Sequence, residues 1–138
     1  MILVDTGAIY ALIDRNDKNH QSAKQYYKTI AGNAVLCISL PILTEACLLI
    51  EARLGLYFVH KFWESVLNGI FEVLAVDKNV LHLAFEIEKK YKNSGFGFVD
   101  STCFALCEKY KIIQIFTYDR KHFSTYKPAF AKSLSLLP

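Results

Sequence analysis

Apolar positions in this chain come in two kinds of run, and the two alternate. Ile2-Leu3-Val4, Ala34–Ile38, Phe71–Ala75 and Ile112–Phe116 are short and continuous, with little polar interruption. That pattern predicts strands buried on both faces. Between them apolar residues recur at three- and four-residue spacing, which predicts helices over Gly7–Ile13, His20–Ile30, Ser39 through Glu45 toward Arg53, Leu56–Leu67, Asp77 to about Lys92, and Val99–Tyr110. The punctuation agrees. Gly32-Asn33 ends the second helix, Ser39 and Pro41 supply a cap and an early helical residue for the third, and Gly55 and Asn68-Gly69 bound the fourth. Leu81, Phe85 and Ile87 to Tyr91 are assigned the inward face of the Asp77 helix, and Trp63, with Phe58, Phe62 and Val66, is assigned to the core. Val99–Tyr110, with Cys103 and Cys107 on one face, is apolar almost throughout and is expected to lie between other elements. Arg120–Tyr126 reads as a short helix or turn and Ser133–Leu137 as a last edge strand. Strands joined through helices pair in parallel, so the expected architecture is one domain over residues 1–138, an α/β three-layer α/β/α sandwich with a mostly parallel, Rossmann-like central sheet.

Composition narrows the class. With 53% hydrophobic and 14% aromatic residues, disorder, collagen and coiled coil are excluded. The longest uncharged stretch, Thr29 to Thr44, is too short for a membrane span and contains Gly32, Asn33 and Pro41. No basic start precedes Ile2-Leu3-Val4, so no secretory leader is expected. Cys37, Cys47, Cys103 and Cys107 sit in apolar runs without metal-binding spacing, which suits a reduced cytoplasmic interior and a soluble protein with no membrane partner. The net charge of +3 hides an asymmetry: residues 1–88 carry seven basic and ten acidic side chains, and residues 89–138 carry nine and three. A basic C-terminal third suits a phosphate-bearing partner, although lysines at helix ends also merely solvate a surface. The histidines are dispersed. Only His122, in the Arg120-Lys121-His122 run beside Asp119, is placed to meet phosphates. The glycine-rich loop Lys92–Gly97 lacks the residue order of a phosphate cradle.

Ligands of an open parallel sheet bind beyond the carboxyl ends of its strands, and two acids stand there: Asp5 after the first strand and Asp119 after the fourth. Glu45 lies early in the helix after strand two, and Asp100 opens the helix after the Gly-Phe-Gly-Phe-Val stretch. Each alone has an ordinary use as a helix cap or helix-start charge. Gathered at one edge in apolar surroundings, the four repel one another, and a divalent cation relieves the repulsion. Oxygen donors without a Cys or His constellation select Mg²⁺ or Mn²⁺, which activates water and neutralises charge on a phosphodiester. Thr6 and Thr117, next to these acids, are candidates to position water or hydrogen-bond a carboxylate.

Val4-Asp5-Thr6, Thr44-Glu45, Asp100, and Thr117-Tyr118-Asp119 with Phe123, in that order and strand context, resemble a PIN domain across the whole chain, and within that family the VapC-like ribonuclease toxins of prokaryotic toxin–antitoxin pairs. The resemblance implies an acidic metal pocket of Asp5, Glu45, Asp100 and Asp119 that cleaves RNA with Mg²⁺ or Mn²⁺. It also implies a homodimer and a small antitoxin protein that covers the pocket. Val99 and Ser101-Thr102-Cys103 flank the third acid where the family often has further polar residues, and Phe96-Gly97-Phe98 is a candidate to stack on a base or pack in the dimer. Two rivals remain. An aspartate-nucleophile phosphatase needs a second acid where Gly7 stands, and a degenerate PIN domain that binds RNA or a protein without cutting fits poorly with four acids present.

Overall fold

Each of the predicted strands pairs only with strands distant in sequence. In the computed structural model, which describes residues 1–138, the order along the chain is β1 (Ile2–Val4), α1 (Thr6–Ile13), α2 (His20–Ile30), β2 (Leu36–Ser39), α3 (Leu40–Leu54), α4 (Leu56–Leu67), β3 (Glu72–Leu74), α5 (Lys78–Lys90), α6 (Phe98–Tyr110), β4 (Gln114–Phe116), α7 (Arg120–Thr125) and β5 (Ser135–Leu137). The sheet runs β3-β2-β1-β4-β5 and every pairing is parallel, with Leu3 opposite Cys37 on one side and Ile115 on the other. Connections leave β1 toward β2 and β3, then return across the sheet to β4. Strand order therefore reverses between β1 and β4, and the crevice beyond their carboxyl ends is where such a sheet binds ligands.

Parallel pairing requires crossover connections, and helices α1 to α7 supply them. Helices pack as α1 with α2 and α3, α3 with α4 and α6, and α5 with α6. One hydrophobic core of 34 buried residues unites the layers. α6 is buried from Ser101 to Cys107, as its apolar sequence predicts. Burial raises the Cys37, Cys103 and Cys107 thiols above their ordinary pKa, which leaves them unreactive packing groups. No helix is long and apolar enough to cross a membrane.

Several inward faces differ from expectation. On α5 the buried residues are Val80, Ala84 and Ile87, while Leu81 and Phe85 are exposed. On α4, Phe62 is buried and Val66 packs against the core, whereas Trp63 is 51% exposed and Phe58 also faces outward. On α5 the small Ala84 lies on the buried face, where the helix packs closely against α6, and the larger Leu81 and Phe85 are displaced outward. Ser39 caps α3 by accepting from the Ile42 N–H at 3.1 Å. α3 turns directly into α4 at Gly55, whose φ of 92° is open to glycine and strained for other residues.

Candidate metal centre

β1 ends at Val4, and Asp5 is the next residue, at the reversal point of the sheet. It occupies the N-cap of α1, yet its side chain makes no capping bond. Instead Asp5 Oδ2 accepts a hydrogen bond from Thr117 Oγ1 at 2.9 Å, and Thr117 Oγ1 in turn accepts from the Asp119 N–H at 2.9 Å. Thr117 is fully buried, so this relay ties the end of β1 to the loop after β4. Burial pushes the Asp5 carboxyl up to about 6. The Thr117 hydroxyl and the Thr6 N–H oppose that shift, while repulsion from Asp100 and Asp119 adds to it.

Asp119 does cap a helix, because its Oδ1 accepts from the His122 N–H at 3.0 Å. Its second oxygen, Oδ2, is thereby left 2.9 Å from His122 Nδ1. The same Nδ1 is 3.0 Å from Asp100 Oδ2. Asp100 lies in the first turn of α6 behind the Gly97 N-cap, so it is no cap itself. Its carboxyl is raised first by burial, with His122 opposing, and repulsion from Asp119 and Glu45 adds to the shift. Glu45 is exposed on α3, and the packing of α3 against α6 brings it within electrostatic reach of Asp100. Asp100 and Asp119 thus meet at His122, while Asp5 lies within electrostatic reach of both and Glu45 within reach of Asp100.

The donor set fits a hard divalent cation. Two buried or half-buried carboxyls carry raised pKa values, first because burial penalises their charge and then because neighbouring acids repel it, and a bound cation would relieve both. Thr6 Oγ1 and Ser101 Oγ, each directly following one of the acids, are buried without a hydrogen-bond partner. Thr6 therefore bonds no carboxylate, while Thr117 does.

The sequence placed two groups differently. His122 was expected to face phosphates, but it stands between Asp100 and Asp119; the signal for this was its i, i+3 spacing from Asp119. Arg120, counted with the basic C-terminal third, donates from Nη1 to the Leu136 carbonyl at 3.1 Å and from Nη2 to the Pro138 carbonyl, so it anchors β5. A basic cluster lies elsewhere. Arg15, Lys24, Lys28 and Lys61 surround a cavity of about 540 Å³ floored by Ile9, Leu12 and Phe62, and all four come from the net-acidic part of the chain. Phe96 is buried against Phe104, and Phe98 is exposed.

Comparison with known proteins converges on the same fold. Ribonuclease VapC26 of Mycobacterium tuberculosis is 23% identical over 137 residues, which cover 99% of this chain and all of that protein. The crystal structure of Mycobacterium tuberculosis VapC20, a sarcin–ricin loop cleaving toxin, superposes with a TM-score of 0.84 at 23% identity and full coverage of both chains. DNA-bound VapBC from Salmonella typhimurium gives 0.68 at 16% identity, covering 99% of this chain and 97% of that one. The PIN domain family matches residues 2–128, from β1 through the last of the four acids. A parallel sheet that reverses at β1 and β4, with acids at that reversal and a family match over nearly the whole length, makes this chain a member of the PIN domain family.

Proposed function

We propose that this protein is a divalent-metal-dependent endoribonuclease and the toxin of a toxin–antitoxin pair. The observation that supports the reading is Asp100 and Asp119 meeting beside the reversal point of a PIN-domain sheet, with Asp5 and Glu45 in electrostatic reach. Ribonuclease VapC26 and the VapC20 toxin, similar to this chain over their full length, support the activity and the role. Asp5, Glu45, Asp100 and Asp119 hold the ion, which is Mg²⁺ or Mn²⁺. When bound, that ion supplies charge neutralisation at the scissile phosphate and lowers the pKa of attacking water. The protein's own groups set the geometry. The Thr117 hydroxyl orients Asp5, the α7 cap fixes one oxygen of Asp119, and the low exposure of Asp5 keeps bulk water from screening the site.

Two surfaces support partners. Leu40, Leu48, Val76, Leu81 and Phe98 line a groove of about 570 Å³ with Glu45 on its rim, and a second copy of the chain covers this apolar face in a homodimer. The cavity ringed by Arg15, Lys24, Lys28 and Lys61 suits an antitoxin segment with apolar anchors and acidic flanks. The setting is cytoplasmic, where all four free cysteines remain reduced.

The test is cleavage of a structured RNA by purified protein in Mn²⁺, in EDTA, and by the Asp5→Asn variant. Cleavage is expected only by wild type with metal; cleavage that survives EDTA, or an Asn variant as fast as wild type, removes the reading.

A further inference from the structure

His122 plays no part in the four-acid site as described, yet its imidazole is the group closest to two of the acids. Nδ1 lies 3.0 Å from Asp100 Oδ2 and 2.9 Å from Asp119 Oδ2, and neither contact is aligned as a hydrogen bond, so Nδ1 is buried without a partner. A neutral imidazole with its proton on Nε2 aims a lone pair at the space that two carboxylate oxygens already face. Those distances match a coordination sphere. Donors about 2.1 Å from an octahedral ion and at right angles to each other are about 3.0 Å apart. Asp100, Asp119 and His122 are also the three side chains whose ligand atoms all lie within 4.8 Å of one another.

The surroundings hold the ring in this orientation. The Phe96 ring, itself buried, meets His122 edge-on with centroids 5.6 Å apart. A Cβ at Gly95 would lie 3.6 Å from Nε2, so the loop before α6 closes over the outer side of the ring. Asp119 is oriented too, since Oδ1 is occupied by the His122 N–H and Oδ2 is the oxygen left facing Nδ1. Residues outside the ligand set thus fix the ligand atoms, as outer groups do in metal sites.

We infer that His122 is a metal ligand, its Nδ1 joining Asp100 Oδ2 and Asp119 Oδ2 on one face of the ion and turning an all-oxygen site into one that prefers Mn²⁺ to Mg²⁺. The inference rests on the metal-nuclease reading above and adds a nitrogen donor to it. Imidazole nitrogen favours transition-metal ions over Mg²⁺, which takes oxygen almost exclusively.

The experiment is pulsed electron paramagnetic resonance of the full chain loaded with Mn²⁺, prepared with natural and with ¹⁵N-labelled histidine, together with Mn²⁺ and Mg²⁺ titrations of wild type and His122→Gln. A nitrogen bonded directly to Mn²⁺ is expected in wild type, and it should vanish in His122→Gln. The variant should lose Mn²⁺ affinity by about ten-fold or more and Mg²⁺ affinity by less. Bound Mn²⁺ in wild type without nitrogen coupling overturns the inference and leaves the nuclease reading intact. So does a His122→Gln variant that binds Mn²⁺ as tightly or more tightly, since the imidazole would then be a counter-charge that the ion must displace. Wild type that binds neither ion and cleaves RNA in EDTA overturns both. The wild-type spectrum does not depend on any variant folding, and a thermal melt checks that His122→Gln does.

Discussion

At the scale of single residues, Asp5 is where folding and chemistry conflict. Its carboxyl has a pKa near 6 in the folded protein against an ordinary 3.8, because burial penalises the charged form. The folded chain therefore holds this proton more tightly than the unfolded chain does. Below pH 3.8 the protonated group is no burden; between 3.8 and 6 the unfolded chain sheds this proton and the folded chain keeps it, so a cost builds over that window and levels at about 3 kcal/mol above pH 6. Asp5→Asn escapes that cost while its amide oxygen can still accept from Thr117. In EDTA at pH 7 the variant should melt above wild type, with the difference closing near pH 4, and added Mn²⁺ should stabilise wild type alone. Equal melting temperatures at both pH values would sink the idea that Asp5 carries a charge penalised by its burial. His122 shows the limit of reading sequence at this scale: two acids and an imidazole meet through a helix cap and a loop closure, and neither is visible until α6 and α7 are packed together.

At the scale of elements, the strands were readable because a parallel strand buried on both faces needs a continuous apolar run, and nothing else in the chain combines that run with such short length. The acids after β1 and β4 were readable for the same reason, since the strand end fixes the residue that follows it. Helix faces were less readable. In α5 the apolar residues Val80, Leu81, Leu83, Ala84, Phe85 and Ile87 permit more than one inward face, and burial chose the one with Ala84 because α5 lies close against α6. Hydrophobicity alone ranks Phe85 above Ala84, but space between helices reverses that order. The α3–α4 corner yields a sharper expectation. Gly55 has φ 92° and ψ 176°, a region almost closed to side-chain-bearing residues, although a Cβ there would touch nothing within 4 Å. Gly55→Ala should therefore lose about 1–3 kcal/mol in urea denaturation through backbone strain alone, with no steric clash to blame. An unchanged midpoint would show that the corner relaxes freely.

At the scale of the molecule, the exposed apolar residues gather on surfaces, and sequence order gives no hint of where. Leu48 from α3, Leu81 from α5 and Phe98 from α6 line one groove, while Phe58 from α4 lines the other cavity between basic side chains. The basic cluster likewise crosses the charge boundary drawn along the chain, because α1, α2 and α4 converge whatever the balance of the segment that holds them. If the first groove is the homodimer face, sedimentation should find wild type as a dimer and Leu48→Glu as a folded monomer. A wild-type monomer at tens of micromolar, or a dimeric Leu48→Glu, would rule out that face.

The hydroxyl relay between Thr117 and Asp5 spans 112 residues, and β1 acquires its β4 neighbour only after all but the last elements of the chain exist. A chain extending only through α6 therefore holds Asp5, Glu45 and Asp100 without Asp119 and without the Thr117 hydroxyl that orients Asp5. The order of the chain thus sets an order of assembly: the site gains its last acid and the hydroxyl that orients its first only when β4 docks beside β1, so no fragment ending before residue 117 can complete it.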